Sequence, residues 1–526
     1  MKLKRSNAVL SALAAAIALT LSSPASAASA PGNAAQVAWQ QAAGDADIER
    51  AFAQAKSEKK PVLLYWGAKW CPPCNQLKAT LFNRQDFIEQ SRAFVAVHID
   101  GDLPGAQKLG SRFKVRGYPT MILFSPEANE ITRLPGEVDA PQVLKVLQLG
   151  LAGGRPIKTV LADAKAGKKL GANEWKLLAF YSWETDEQQL VSPIERPGLL
   201  AQLAVASAGI DADTTTRLWL KALAASDEGK GVKPDAALQQ RVSAVLASPA
   251  EAHAQMDVLT NGAADIVKTL APEPGATRDK LLAEFETALK RLEADTSLSR
   301  ADRMTALQAR VELARLDQPR DALTPKLPPA LIKDVREHVA RADREISDGY
   351  ERQAVITGGA YLLGLAGLWK ESDELLKANL AKSHSPYYLM SQLGGNARKQ
   401  GRKDEALRWY EEAFQKSEGP ATRLQWGSNY FAALVELAPQ DAGKIEKTAA
   451  QLFSEAAADK SAFYERSARS LQKVGAKLNS WNAEGQHAAA VGRLKTQLDG
   501  VCAKVDTADR QRATCEALIK TPVKKG

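Results

Sequence analysis

Cys71 and Cys74 are separated by Pro72 and Pro73, directly after an apolar run at residues 61–66 and at the opening of a helical pattern. That spacing sets both sulfurs on one turn, close enough to bridge. The first sulfur then lies at a helix N-terminus, where unpaired amides and the helix dipole stabilise a thiolate. Thiols so placed have pKa values of roughly 3.5–7.5. Cys71 is therefore the expected nucleophile. Cys74, inside the helix and more buried, is expected to resolve the mixed disulfide. Two other uses of the pair compete. A zinc site needs about four ligands, yet Cys502 and Cys515 lie far off in a helical region and the chain has only 5 His. A purely structural disulfide is an odd use of an exposed helix start. Redox chemistry is the favoured reading, and it calls for no metal and no cofactor. Pro72 and Pro73 stiffen the turn and remove a helix-terminal amide, which alters the redox poise.

The elements that must position this pair are legible over residues 45–150. Residues 45–59 have helical spacing, with Ile48, Phe52 and Ala55 on one face. Residues 61–66 read as a buried strand, 71–92 as a kinked helix, and 94–99 as a second buried strand. A short helix follows at 106–113. Strands at 120–124 and 131–134 are joined by a turn at Pro126, and a helix at 140–149 closes the segment. This order predicts a small mixed sheet covered by helices.

These residues resemble the thioredoxin family. The matching pieces are residues 61–66, residues 68–74 around the Cys pair, and residues 113–120 followed by Met121, Ile122, Leu123 and Phe124. Within that family the segment is most similar to the C-terminal thioredoxin-like domain of periplasmic electron-transfer disulfide reductases, in the helix at 77–82 and in Asp86 and Phe87. The resemblance covers about a fifth of the chain. It implies that Pro119 is a cis-proline facing the Cys pair, and such bonds are uncommon and usually functional. It implies that Tyr118 offers its backbone to an extended substrate, with Trp70 alongside. Tyr118 either narrows that groove or packs on Trp70. One departure stands out. The family's buried acid, six residues before the first Cys, is Tyr65 here, and the Lys that pairs with it in thioredoxin is Ala96. Losing both avoids an unpaired buried charge but leaves no obvious base for Cys74. Asp100 and His98, at the end of the second strand, are weak candidates.

After Gly154 strand-like runs nearly vanish, and apolar residues recur at helical spacing through residue 520. Pro325, Pro328 and Pro329 mark an internal boundary. The expected organisation is a signal peptide at 1–27, a linker at 28–40, an α/β thioredoxin-like domain at 41–152, an all-α domain at 155–324, and a helical-repeat region at 325–526. In that last region a shift of 34 residues pairs Gly367 with Gly401 and Pro386 with Pro420, the period of tetratricopeptide helix pairs. Leu393, Gly394, Ala406, Tyr410 and Ala413 also resemble that family. Such arrays offer a concave surface to a partner. Cys502 and Cys515 flank a polar turn between two helical stretches. In an exported protein they read as a structural disulfide across a terminal hairpin; a second redox pair relaying electrons to Cys71 is the rival.

The chain has 526 residues, 45% hydrophobic and 25% charged, ordinary globular values. Lys2, Lys4 and Arg5 precede an apolar run at 8–21 too short to span a bilayer comfortably, and Ala25 to Ala27 fits a cleavage site. Removing 1–27 takes three positive charges from the formal +9, leaving +6. Spread so thinly, that charge argues against nucleic-acid binding, and no later stretch reads as membrane-inserted. The expectation is a periplasmic thiol–disulfide oxidoreductase, reductase or isomerase, acting on protein disulfides or thiols and recharged by a reducing partner protein. The alternative is a non-catalytic interaction or chaperone-like protein whose helices bind clients.

Overall fold

The computed structural model describes residues 36–136, 139–186, 189–226 and 231–519. The signal-peptide segment lies outside the described residues, as does most of the segment read as a linker. Five strands form one sheet: β1 (Gln40–Gln41), β2 (Val62–Gly67), β3 (Val95–Asp100), β4 (Thr120–Phe124) and β5 (Glu130–Leu134). Their order is β1-β3-β2-β4-β5, with β1, β3 and β2 mutually parallel, β4 antiparallel to β2, and β5 antiparallel to β4. β2 is central and every residue in it is buried. That explains its unbroken apolar run, since a strand covered on both faces needs no polar alternation.

The two-residue period sorts the side chains. Val62, Leu64, Trp66, Val97, Ile99 and Ile122 face one side. Helices α1 (Asp45–Glu58) and α4 (Ala106–Arg112) cover it with Ile48, Ala51, Phe52 and Leu109. Leu63, Tyr65, Met121 and Leu123 face the other side. There they meet α2 (Pro72–Thr80), α3 (Gln85–Gln90) and α5 (Ala140–Leu151). The helix expected at 71–92 is broken at 81–84, and the break lets Leu81, Phe82 and Phe87 all reach the sheet. Residues 36–40, read from sequence as the end of a linker, are packed instead. Val37 is buried, Trp39 lies against Tyr65 and Phe82, and Gln40 begins β1. Two apolar side chains in a run of small residues cover the sheet's open end.

Twenty helices follow among the described residues, from α6 (Ile157–Lys165) to α25 (Gln511–Glu516). Asp211, Asp235, Ser299 and Asp348 each begin one by accepting the amide three residues on, the usual N-cap device. The core on the second sheet face continues without a gap through Ile157 and Trp175 as far as Leu313. Helix α15 (Arg300–Ala314) carries apolar residues on two sides. Ala306, Ala309 and Leu313 enter that core, while Met304, Leu307 and Val311 enter a second one with Val335 and Leu363. The turns at 154 and 325 are therefore changes of element, not breaks in packing.

The 34-residue correspondence has a physical form. Gly367 and Gly401 have φ of 78° and 73°, in the left-handed region that a side chain strains. They close α17 (Gly349–Leu365) and α19 (Pro386–Lys399). Pro386 and Pro420 are the first residues of α19 and α21 (Pro420–Leu437), where a missing N–H costs nothing. Among the described residues no helix is long and apolar enough to cross a membrane.

Cys502 ends α24 (Ala488–Cys502) and Cys515 lies in α25; they are disulfide-bonded with Cα atoms 5.7 Å apart, and both are buried in the last core. Closing a loop of 13 residues stabilises by about 3 kcal/mol in chain-entropy arithmetic. Urea unfolding of Cys502→Ser/Cys515→Ser should show a loss of that order. A loss below about 1 kcal/mol would mean the crosslink is not a staple.

Candidate functional site

Cys71 is the N-cap of α2, with φ −67° and ψ 115°. Pro72 and Pro73 occupy the first two helical positions and carry no N–H. The first available amide is therefore that of Cys74, and it donates to Cys71 Sγ at 3.3 Å. The Cys71 carbonyl accepts from the Asn75 amide at 3.0 Å and from Asn75 Nδ2 at 2.8 Å. The two cysteines are joined, with Cα atoms 5.3 Å apart. In the reduced state the same amide and the helix start would stabilise a Cys71 thiolate.

The structure gathers all five residues singled out around this centre. Ala68, Cys71 and Cys74 form one small cluster with Trp70 and Tyr118 packed on it. The Tyr118–Pro119 bond is cis. The Tyr118 ring lies over Gly101, where a Cβ would fall 2.2 Å from its hydroxyl oxygen. Gln107 Nε2 donates to that hydroxyl at 3.0 Å.

The expectation of an exposed helix start is corrected: Cys71 is 2% exposed and Cys74 0%. The chain's own helices cover them. Trp70 packs against Tyr388 of α19 and Trp426 of α21, with ring centroids 5.9 and 5.0 Å away. Its indole N–H donates to Asp102 Oδ2 and to Thr422 Oγ1, both at 3.0 Å. Arg466, in α23 (Glu465–Trp481), places its guanidinium over both the Trp70 and Tyr118 rings. It pairs with Asp102, and its backbone amide donates to Gln107 Oε1 at 2.9 Å. Helix α17 packs along α2, and His384 Nε2 donates to the Lys69 carbonyl at 3.0 Å. Asp102, Gln107, Thr422, Trp426 and Arg466 were not singled out in the sequence, because no local spacing links residue 70 to residues 426 and 466.

Two open clefts remain beside the pair. One, of about 290 Å³, is lined by Cys71 and Pro73 together with Arg116 and Arg466. The other, of about 330 Å³, lies along Pro119 and includes Arg196 and Lys221. They share Pro73, Gly117 and Tyr118.

Beneath the pair, Tyr65 faces His98 and Met121 across the sheet. Its hydroxyl is buried and has no hydrogen-bond partner among the described residues. Burial, reinforced by Asp100, holds its pKa far above the ordinary phenol value. Asp100, paired in register with Gly67, is raised above the ordinary carboxylate value chiefly by burial. His98 stacks on Tyr65 and is pushed down to about 4 by burial and then by Lys78. An imidazole held neutral in the fold binds its proton more readily when unfolded, so stability is complete above about pH 6.5 and falls as pH drops toward 4. The contribution is on the order of 3 kcal/mol. Urea midpoints at pH 7 and 4.5 should therefore differ less for His98→Gln than for the natural chain. Equal differences would remove His98 from the account.

Residues 48–150 match the family model of a thioredoxin-like domain. The chain is 33% identical over 99 residues to the thiol:disulfide interchange protein DsbD 2 of Pseudomonas aeruginosa, a match covering 18% of this chain and 17% of that protein. It is 34% identical over 99 residues to the thiol:disulfide interchange protein DsbD of Cronobacter sakazakii, covering 18% and 17%. The chain thus spans less than a fifth of the length of these curated relatives. Among solved structures, a thioredoxin from Thermus thermophilus is 26% identical, with a TM-score of 0.19, covering 21% of this chain and 83% of that one. A DsbH oxidoreductase is 18% identical, with a TM-score of 0.20, covering 26% and 96%.

Proposed function

We propose that this chain, built on a thioredoxin-like domain at residues 48–150, is a thiol–disulfide oxidoreductase of the periplasm. The carrying observation is the Cys71–Cys74 pair at a helix start, with the Cys74 amide aimed at Cys71 Sγ. In the reduced protein the Cys71 thiolate attacks a disulfide, forming a mixed disulfide and releasing one thiolate. Cys74 then loses its proton and attacks Cys71 Sγ, releasing the second thiolate and closing the Cys71–Cys74 bond. Two electrons pass from the dithiol to the substrate, and a dithiol donor restores the pair. The direction, reductase or isomerase, rests on the likeness to thiol:disulfide interchange proteins, and export rests on the expected signal peptide.

Trp70, Tyr118 and Pro119 would form the substrate wall. Trp70 contributes its ring only, because its N–H is engaged by Asp102 and Thr422. The helices from 325 onward are read as tetratricopeptide-like, and part of their surface is taken by the chain's own redox face. The burial of Cys71 is what favours the second reading, a client-binding scaffold in which the pair is structural. The two separate cleanly. The chain reduced with dithiothreitol should reduce bis(2-hydroxyethyl) disulfide in a single turnover, and Cys71→Ser should not. Equal rates would sink the redox reading.

A further inference from the structure

We infer that a cavity in the helical region, apart from the redox pair, binds a small aromatic carboxylate. Its volume is about 570 Å³, inside the usual range of roughly 300–1,000 Å³ for small-molecule sites. Its walls come from α17, α19 and α18 (Trp369–Asn379), with residues 320–323 along one side. None of its lining residues belongs to the thioredoxin-like domain. The segment along its side is pinned. Arg315 donates to the carbonyls of Pro319 and Arg320, and Trp369 Nε1 donates to the Leu323 carbonyl at 2.6 Å. Gly367, at the α17–α18 turn, lies so close to this segment that a Cβ would fall 2.8 Å from Pro325. The cavity is thus walled at that turn, which suits a compact ligand better than an extended chain running along the helices.

The lining gives the chemical class. Leu323 and Tyr361 are 40% and 49% exposed, among the few large apolar side chains the described surface leaves uncovered, and both line this cavity beside Trp369. Two aromatic faces and an open leucine favour a flat apolar body. The charge comes from Arg315, Arg320 and Lys399, with Asp321 the carboxylate in the lining. None of the three cations forms an ion pair among the described residues. Lys399 lies over the Trp369 ring, 5.5 Å from its centroid. The Tyr361 hydroxyl is raised in pKa by burial and by Glu312 and lowered by Arg315, which puts a cation beside the second ring. Glu312 is outside the lining and accepts from Gln308, so three cations stand against two carboxylates. Arg315 is only 9% exposed, and an arginine so buried normally has a carboxylate partner. Here its bonds all go to carbonyls, those of Leu365, Pro319 and Arg320. A guanidinium has five N–H donors, so donors remain, and Arg315 Nε is not among the unpartnered atoms sealed from solvent. A ligand carboxylate would supply the missing anion.

The test is calorimetric titration of the full chain. The probes are 2-naphthoate, the neutral 2-naphthalenemethanol, the cation 2-naphthylmethylammonium, acetate, and a capped pentaglutamate peptide. Naphthoate should fill one site, about tenfold more tightly than the alcohol, with the ammonium and acetate weaker still. Lys399→Glu, at an exposed position, should weaken naphthoate about tenfold and the alcohol less than about twofold, because it reverses a charge and leaves the apolar wall in place. Tyr361→Ala should weaken both by about fivefold. No saturable heat with naphthoate up to about 10 mM, equal affinity for the acid and the alcohol, or naphthoate binding that neither variant moves would overturn the inference. A pentaglutamate peptide binding more tightly than naphthoate would overturn it too, by assigning the cavity to an acidic chain.

Discussion

Arg466→Ala should destabilise the protein by about 3–5 kcal/mol and uncover Cys71. The Arg466 guanidinium sits against the Asp102 carboxylate, each side chain only about a tenth exposed, and also donates to Gln425 Oε1 at 3.0 Å and to the Gly101 carbonyl at 3.3 Å. Removing it leaves Asp102 with the neutral donors Trp70 and Thr422 but without its cation. An uncompensated buried charge is among the few single-residue changes expected to cost this much. The same change takes away the group lying over Trp70 and Tyr118, so the redox face should loosen from α21 and α23. Iodoacetamide should then label reduced Cys71 at least ~10-fold faster than in the natural chain, since reactivity follows exposure. Arg466→Lys should recover part of the stability, because it keeps the charge but not the planar fork. Urea unfolding and timed alkylation read the two effects. A loss below about 1 kcal/mol with unchanged labelling would show that the helices do not hold this face.

Asp100→Asn should slow resolution of the mixed disulfide by roughly 10²-fold. Cys74 must give up a proton to attack Cys71 Sγ, because only the thiolate is nucleophilic. Tyr65 stands where the family carries an acid, but its buried, unpartnered hydroxyl is held too high in pKa to accept that proton. His98, pushed down to about 4, is a poor base at neutral pH. Asp100 remains. Burial raises it above the ordinary carboxylate value, and its charge is felt by Lys78, one helical turn beyond Cys74 on α2. Thiol release from a preformed Cys71 mixed disulfide should therefore quicken as pH rises through the raised value of Asp100, above 3.8. That dependence should vanish in Asp100→Asn and persist in Tyr65→Phe. An unchanged release rate in Asp100→Asn would assign the proton to some other acceptor.

Much of the site was legible because it is local. An apolar strand running into Cys71, prolines at the first turn of a helix, and the 118–119 step are short-range patterns, and the structure places them together. The sheet was legible for a similar reason: a two-residue period forces Leu63 and Tyr65 to one face and Leu64 and Trp66 to the other. The repeat glycines announced themselves because a left-handed turn has few other solutions. What was not legible depends on distant partners. Trp70 reads as a substrate-binding aromatic beside a reactive thiol until Trp426 and Arg466 close on it. Val37 and Trp39 read as linker because the residues before them are small, and only the uncovered end of the sheet explains their burial. Asp100 was visible as a carboxylate at a strand end, but its raised pKa comes from burial, which spacing does not report.

Everything in the proposed cycle depends on Cys71 being the sulfur that forms the bond to substrate. The most direct test is the mass of the covalent adduct made when the reduced Cys74→Ala chain meets oxidised glutathione, followed by peptide mapping. One glutathione should be found on Cys71, stable because no resolving thiol remains, and no adduct should form in Cys71→Ser/Cys74→Ala. An adduct on Cys502 or Cys515, or none on Cys71, would contradict it.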